Sequence, residues 1–179
     1  MVSHKLGDGE WLHLGRGGRL LLLPDPHEVP TPVQMGFSPI YWNTAWTINQ
    51  APHTLGIWCD PKHPALAQFP TESHSNWQWW ELIHRSAAML LDGLPTTLRP
   101  IVQPIDDWHQ NRRLGLLFEA KVNDGRLMVC SADLRTDMQQ RPAARQFLRS
   151  LLAYMASDQF DPAVELTPQS IKRVIGRSV

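Results

Sequence analysis

Four consecutive leucines, residues 20–23, lie between a glycine-rich segment at residues 15–18 and Pro24. A short, unbroken apolar run bounded by glycine and proline is typical of a β-strand that is buried on both faces. Strands of this kind occur mainly in parallel sheets, because crossover helices cover both sides of such a sheet. Residues 55–59 form a second run of this type, which ends before Asp60. These two runs predict an α/β protein and argue against a helical bundle.

Helical periodicity marks two further segments. Residues 75–91 begin at Ser75, a favourable N-cap, and carry apolar residues at three- and four-residue spacing. Residues 142–155 begin with Pro142, which suits the first turn of a helix, and continue with an apolar stripe. Both segments are predicted to be helices.

A β-hairpin is predicted near residues 114–134. Two β-rich runs within this range are joined by Asn123, Asp124 and Gly125. These residue types tolerate the positive φ angles that tight hairpin turns need. Together with a strand predicted at residues 99–105, the order of elements predicts a mixed, largely parallel sheet flanked by helices. A β-sandwich with peripheral helices is the alternative, since many short segments and frequent proline also suit that architecture.

The length and charge of the chain limit the classes of protein that it can belong to. Its 179 residues suit one domain, predicted over residues 1–157 and followed by a C-terminal extension or tail at residues 158–179. Lys and Arg together number 17, as do Asp and Glu, so the formal net charge is zero. This balance argues against nucleic acid as a partner. The lack of a long apolar run argues against a membrane span, and two cysteines are too few for a disulfide framework.

Tryptophan is unusually frequent, with 8 Trp against 2 Tyr, and six of the eight lie between Trp42 and Trp80. An indole offers a large apolar face and an N–H donor, so such a cluster predicts either a core built around indoles or a stacking surface for a ligand. In the first case, Trp79 and Trp80 belong to the buried stripe of a helix. In the second, aromatic platforms and nearby polar groups form a carbohydrate site. Such a site would draw on Trp42, Trp46, His53, His74, Asn76, Trp77, Trp79 and Asp107.

Few patterns in the sequence are typical of catalysis. Cys59 follows an apolar strand, but its neighbours are too bulky for a nucleophile elbow, so we expect a buried thiol. The histidines lack the paired spacing of a metal site, and neither a metal nor another cofactor is expected. A small hydrolase that uses Glu72 or Glu119 with His74 is the alternative in which the chain is itself an enzyme.

Several long, aromatic motifs resemble a C-terminal module of large bacterial family 2 glycoside hydrolases of the β-galactosidase type. The likeness extends from about residue 36 to residue 155 and rests on residues 39–46, 52–57, 59–64, 69–80, 99–108 and 114–122. The module is similar to flavodoxin-like and class I amidotransferase-like α/β domains. Here the early strand–helix units are reduced to residues 1–14, and the reactive-cysteine elbow of the amidotransferases is absent.

This resemblance implies a non-catalytic accessory domain that takes part in domain packing, oligomerisation or carbohydrate binding. In the family, the two catalytic glutamates belong to a (β/α)₈ barrel, which needs about 250 residues, so no catalytic residue can be transferred to this chain. The implied partners are a glycoside hydrolase catalytic domain, a second copy of the chain, or a carbohydrate. A purely structural protein-interaction domain is a further alternative. The N-terminal residues carry no secretory signal, which predicts a cytoplasmic location for the chain as given, although members of the family are commonly exported.

Overall fold

The computed structural model describes residues 1–31, 33–39 and 51–176. The strands formed by these residues are β1 (Val2–Ser3), β2 (Arg19–Leu22), β3 (Gly56–Cys59), β4 (Met89–Leu90), β5 (Val102–Ile105), β6 (Leu114–Gly115), β7 (Leu117–Val122) and β8 (Gly125–Cys130). The α-helices are α1 (Asp8–Gly15), α2 (Trp77–His84), α3 (Pro142–Ala156) and α4 (Pro168–Ile175). The helix predicted over residues 142–155 is therefore confirmed as α3.

The main sheet contains six strands in the order β1-β2-β8-β7-β5-β3. β1, β2 and β8 run parallel, whereas β8 with β7, β7 with β5, and β5 with β3 pair antiparallel. β4 and β6 form a separate two-stranded antiparallel sheet. The predicted α/β class, with a mixed sheet flanked by helices, is confirmed. The β-sandwich alternative is wrong, because helices cover the main sheet where a second large sheet would have to lie.

The leucine run of β2 is buried on both faces, as predicted. Leu21 packs in a first core with residues of α2 and α3, whereas Leu20 and Leu22 pack in a second core with residues of α1 and α4. All three side chains are fully buried. Burying a leucine contributes about 1.5–3 kcal/mol relative to leaving it exposed. This one strand therefore favours helices on both sides of the sheet.

The predicted hairpin is formed by β7 and β8, which pair over all six residues of each strand. The loop between them consists of Asn123 and Asp124, and Asn123 has a positive φ of 53°. At Gly125 a Cβ atom would lie 2.6 Å from the carbonyl oxygen of Leu14. Helix α1 can approach the hairpin this closely because Gly125 has no side chain.

The helix predicted over residues 75–91 is shorter than expected, because α2 ends at His84. After it, Ser131 Oγ donates to the Ala87 carbonyl at 2.6 Å, and the Ala87 N–H donates to the Ser131 carbonyl at 3.2 Å. The apolar residues that follow alternate between the two cores, as residues of a strand do. Pairing with a distant part of the chain thus overrides the helical spacing of these residues.

The prediction of a C-terminal extension or tail at residues 158–179 is wrong for the part that the structure describes. Phe160 is fully buried in the first core, and the Leu166 N–H donates to the carbonyl of Lys121 in β7 at 2.8 Å. Helix α4 then places its apolar side in the second core through Ile171, Val174 and Ile175. Ile171, Val174 and Ile175 are spaced by three and four residues along α4, so an apolar stripe in the sequence also indicates this helix.

Replacing Ile171 by alanine tests whether α4 is part of the folded domain. Ile171 is fully buried, so we expect Ile171→Ala to lower the free energy of unfolding by about 2–5 kcal/mol. The control is Gln169→Ala at an exposed position of the same helix, where we expect a change of about 0.5 kcal/mol or less. Urea unfolding followed by circular dichroism measures both changes. Small and equal effects would contradict the placement of α4.

Candidate functional site

Helix α2 is anchored to the domain by a buried tryptophan, Trp79. This side chain is fully buried, and its ring packs edge-on against Phe69 and Phe147 at centroid distances of 5.1 Å and 5.5 Å. Its Nε1 donates to Thr71 Oγ1 at 2.7 Å. The prediction that Trp79 contacts carbohydrate is therefore wrong. Trp79 lies on the side of α2 that packs against α3, which makes it part of the first core.

Two exposed indoles of α2, together with Phe37 and His84, form a continuous surface that we name the aromatic shelf. Trp77 and Trp80 are 86% and 49% exposed, and their ring centroids lie 6.1 Å apart with an angle of 54° between the planes. Phe37 stacks on Trp80 at 5.5 Å and 18°. The His84 ring lies 4.1 Å from Trp80, and its Nδ1 donates to the Trp80 carbonyl at 2.7 Å. The rings of the shelf therefore hold one another in place.

The aromatic shelf borders an open hollow of about 360 Å³. Ser75 and Asn76, the two residues before α2, line this hollow together with Phe37, Trp77 and Trp80. Asn76 is the N-cap residue of α2, but its side chain makes no capping hydrogen bond. The hollow therefore combines three aromatic rings with an amide and a hydroxyl group.

The other residues predicted for a carbohydrate site lie elsewhere. His74 is exposed, and its Nε2 lies 3.1 Å from a carboxylate oxygen of Glu72. His53 is half-buried, and its backbone N–H donates to the Gln34 carbonyl at 2.9 Å. Two further predicted residues, Trp42 and Trp46, lie outside the described residues.

Asp107 has a structural role in a loop. Its side chain is 1% exposed, and its Oδ1 accepts hydrogen bonds from the backbone N–H groups of His109 and Gln110 at 2.9 Å and 3.0 Å. The adjacent carboxylate of Asp106 accepts two hydrogen bonds from the Arg112 guanidinium at 2.7 Å and 2.9 Å. The prediction that Asp107 binds a sugar is wrong, because its carboxylate is turned inward to stabilise this loop.

Sequence reasoning identified Asn76 and Trp77 at the shelf but missed Phe37, Trp80 and His84 as site residues. Trp77, Trp80 and His84 are spaced by three and four residues, which places their side chains on one side of a helix. This spacing is a signal that sequence reasoning could use. Phe37 reaches the shelf through the tertiary fold, and no local pattern indicates it.

A deeper hollow of about 680 Å³, which we name the strand-end cleft, is lined by residues that follow β2 and β8. Asp25 follows β2, and Asp133 follows β8. The Arg135 guanidinium donates to Asp25 at 2.7 Å, and the Arg135 backbone N–H donates to Asp133 at 3.0 Å. A hydrogen bond from the backbone of His27, together with the Arg135 guanidinium, lowers the pKa of Asp25 below its ordinary value. Asp25 is therefore a paired carboxylate at neutral pH.

The aromatic shelf and the strand-end cleft are structurally connected. His84 lines the cleft and also contacts Trp80 on the shelf. The buried guanidinium of Arg141 donates to the carbonyls of Asp133 and Thr136 at 2.7 Å and 2.8 Å, and its Nε donates to Glu81 of α2. One buried side chain thus holds the helix that carries the shelf next to the loop that lines the cleft.

The cysteines are not activated nucleophiles. Burial raises the pKa of Cys59 to about 11 and the pKa of Cys130 to about 12, so both are thiols at neutral pH. Glu119 accepts a hydrogen bond from Tyr154 Oη at 3.3 Å. Among the described residues, no contact joins Glu119 to His74, which pairs instead with Glu72 at an exposed position.

The two hollows are built from aromatic rings, hydrogen-bonding groups and ion pairs. Within the described ranges, no group of three or more His, Cys, Asp or Glu side chains is placed to hold a metal ion. No helix in this part of the chain is long and apolar enough to cross a membrane.

The buried and the exposed tryptophan of α2 should differ in how much they contribute to stability. Trp79 is fully buried, so we expect Trp79→Ala to lower the free energy of unfolding by about 3–5 kcal/mol. Trp77 is 86% exposed, so Trp77→Ala should change it by about 0.5 kcal/mol or less. Urea unfolding measures both values. A large loss of stability in Trp77→Ala would show that this indole is part of the core.

The buried carboxyl group of Glu119 should make the free energy of unfolding depend on pH. Burial raises the pKa of Glu119 above its ordinary value of 4.5, and the hydrogen bond from Tyr154 opposes this only in part. Because the pKa is raised in the folded state, the stabilising contribution of this group is fully present below the unfolded-state pKa and is lost as the pH rises through the folded-state pKa. We therefore expect Glu119→Gln to become more stable relative to the unmodified chain as the pH increases from about 4 to about 7.

Urea unfolding of both proteins over this pH range measures the difference in free energy of unfolding. Glu165→Gln, at an exposed position of the same charge type, is the control and should show no such trend. A difference between Glu119→Gln and the unmodified chain that stays constant with pH would contradict the burial of the Glu119 carboxyl.

Comparison with known proteins places the chain in a family. No curated protein matches the sequence at a significant level. The sequence matches, over residues 1–176, the family described as domain of unknown function (DUF8487). The match includes α4 and nearly the whole chain. The protein therefore belongs to the DUF8487 family.

Proposed function

We propose that this protein is a non-catalytic module that binds carbohydrate on its aromatic shelf. The observation that carries this proposal is the exposure of two adjacent indoles, with Trp77 86% and Trp80 49% exposed. Large aromatic side chains are usually buried in soluble domains, and a cluster of exposed ones marks an interaction site. The shelf is therefore the surface of this domain most suited to a ligand.

The chemistry of the shelf suits a sugar ring. A pyranose has an apolar C–H face, which an indole can cover, and hydroxyl groups at its edge, which need hydrogen-bonding partners. The planes of Trp77 and Trp80 lie at 54° to each other, and both rings line the hollow. Ser75 and Asn76 lie beside these rings and supply the hydroxyl and amide groups.

Binding without catalysis is supported by the composition of the hollow at the shelf. Among the described residues, its lining consists of aromatic, hydroxyl and amide side chains, none of which can serve as the carboxylate pair of a glycoside hydrolase: Phe37, Ser75, Asn76, Trp77 and Trp80. Glycoside hydrolysis needs two carboxyl groups on either side of the scissile bond.

We also propose, from the resemblance of residues 39–46, 69–80 and 99–108 to a module of family 2 glycoside hydrolases, that the domain acts with a catalytic domain of that type. In this arrangement, the shelf would hold the substrate chain near an active site that belongs to the catalytic domain. The location of the module in the cell would then follow that of its partner.

A second candidate function is that of a protein-interaction domain. Trp58 on β3 is 50% exposed and Ile105 on β5 is 43% exposed. Trp58 pairs with Gln103, and Gly56 pairs with Ile105, so the two apolar side chains lie on the same face of the sheet. This small apolar patch would suit contact with another protein or with a second copy of the chain.

Thermal unfolding followed by tryptophan fluorescence tests the proposed function, with a panel of galactosides, glucuronides and plant oligosaccharides. A ligand at about 100 times its dissociation constant stabilises a fold by about 2.7 kcal/mol, which should raise the midpoint by about 5–10 °C for a domain of this size. We expect Trp77→Ala to abolish this shift. Trp108→Ala is the matched control, since Trp108 is a 54% exposed indole that is not among the described residues lining the hollow, and its loss should leave the shift unchanged.

Three results would contradict the proposal. The first is a cooperative melt that no sugar shifts. The second is a shift that Trp77→Ala retains and Trp108→Ala loses. The third is hydrolysis of a chromogenic β-galactoside by the isolated chain, which would show that the domain is catalytic. Sedimentation showing self-association, without any response to sugars, would favour the protein-interaction function instead.

A further inference from the structure

The strand-end cleft occupies the position where α/β proteins usually bind ligands. In open α/β sheets, ligands bind in the crevice outside the carboxyl ends of the parallel strands. β2 and β8 are parallel, and the cleft is lined by residues that follow both of them, including Asp25 and Asp133. At about 680 Å³ the cleft is deep enough for a small molecule or for one unit of a longer chain.

A second, smaller hollow lies next to the cleft. This hollow has a volume of about 370 Å³ and is lined by residues at the end of β1, such as Ser3 and Lys5. Asp25 and Arg135 line both hollows, so the two cavities meet at this ion pair. The carboxyl ends of all three parallel strands therefore border one or the other of these two adjacent hollows.

The charges in the cleft favour a neutral ligand. Two carboxylates, Asp25 and Asp133, are matched by two guanidinium groups, Arg85 and Arg135. Arg135 donates to Asp25 at 2.7 Å. Asp133 lies 3.3 Å from Arg141 Nη1 and 3.9 Å from Arg85 Nη1, and Arg85 Nη1 also lies 3.4 Å from Asp137. An anion or a cation would have to break these pairs. A hydroxyl group both donates and accepts hydrogen bonds, so a polyhydroxylated ligand can bind to paired charges without separating them.

The cleft and the aromatic shelf are adjacent along the chain and in space. Gln34 and Met35 line the cleft, and Phe37, two residues later, lies on the shelf. His84 borders both surfaces. The two surfaces therefore meet at His84.

We propose that the aromatic shelf and the strand-end cleft form one extended site that binds a neutral oligosaccharide of two or more units. This inference rests on the proposed function, because it assigns a class of carbohydrate to the same site. One sugar ring stacks on Trp77 and Trp80, and the next units lie in the cleft, where the side chains of Gln34 and Arg135 bind their hydroxyl groups.

Isothermal titration calorimetry with two series of ligands tests the extended site: β-1,4-linked galactose and glucose oligomers of one to five units. We expect affinity to increase by about tenfold or more from one unit to four, since each added hydrogen bond contributes about a fivefold gain. Gln34→Ala and Arg135→Gln should each lower the affinity for the tetrasaccharide by about fivefold and leave the affinity for the monosaccharide unchanged. Trp77→Ala should lower the affinity for every ligand in the series.

Arg149→Gln is the matched control for Arg135→Gln, because Arg149 is exposed on α3 and lines neither the shelf nor the cleft. It should bind every ligand as the unmodified chain does. The thermal midpoint of each variant shows that it is folded, and Gln34→Ala retains the backbone pairing of Gln34 with Ala87.

The outcomes separate the two proposals. Affinity that does not depend on ligand length, or a length dependence that Gln34→Ala and Arg135→Gln both leave intact, overturns the extended site while the shelf remains a binding site. Preference for charged sugars such as glucuronides over neutral oligomers also overturns it. Failure of every sugar to bind overturns both the extended site and the proposed function.

Discussion

Strand β2 has to be covered on both faces, and most of the fold is organised around this requirement. Its leucines point alternately into the first and the second core. Helices α2 and α3 cover the first face, and α1 and α4 cover the second. Each leucine left in water would forgo about 1.5–3 kcal/mol. Even the last helix, α4, belongs to the domain because the second core needs its Ile171, Val174 and Ile175.

The same arrangement fixes the position of the candidate site. Helix α2 is anchored in the first core by Trp79, Leu82 and Ile83, so the indoles on its outer side are presented by a rigid element. A binding surface whose side chains are already ordered loses less conformational entropy when a ligand binds. Phe37 and His84 add contacts to Trp80 and further limit its motion.

Buried polar groups connect this helix to the strand ends. Arg141 is 5% exposed and binds both the loop after β8 and Glu81 of α2. Removing one partner of a buried ion pair leaves an uncompensated charge, which is strongly destabilising. The relative position of the aromatic shelf and the strand-end cleft is therefore set by an interaction that the fold cannot easily lose. This coupling favours one extended site over two separate ones.

Local patterns in the sequence determined several features of this protein. The leucine run, the Asn123–Asp124 turn and the amphipathic stripe of α3 predicted a buried strand, a hairpin and a helix, because each depends on neighbours along the chain. The exposed Trp77 with Asn76 beside it was also accessible to sequence reasoning. The C-terminal boundary of α2 could not be predicted from the sequence, because it depends on the pairing of Ala87 with Ser131, and these residues are 44 positions apart. The choice between a buried and an exposed Trp79, the inward turn of Asp107, and the contact of Phe37 with Trp80 beside the strand-end cleft were decided by tertiary structure alone. Side-chain exposure and contact between distant residues depend on how helices and strands pack, and no local spacing encodes them.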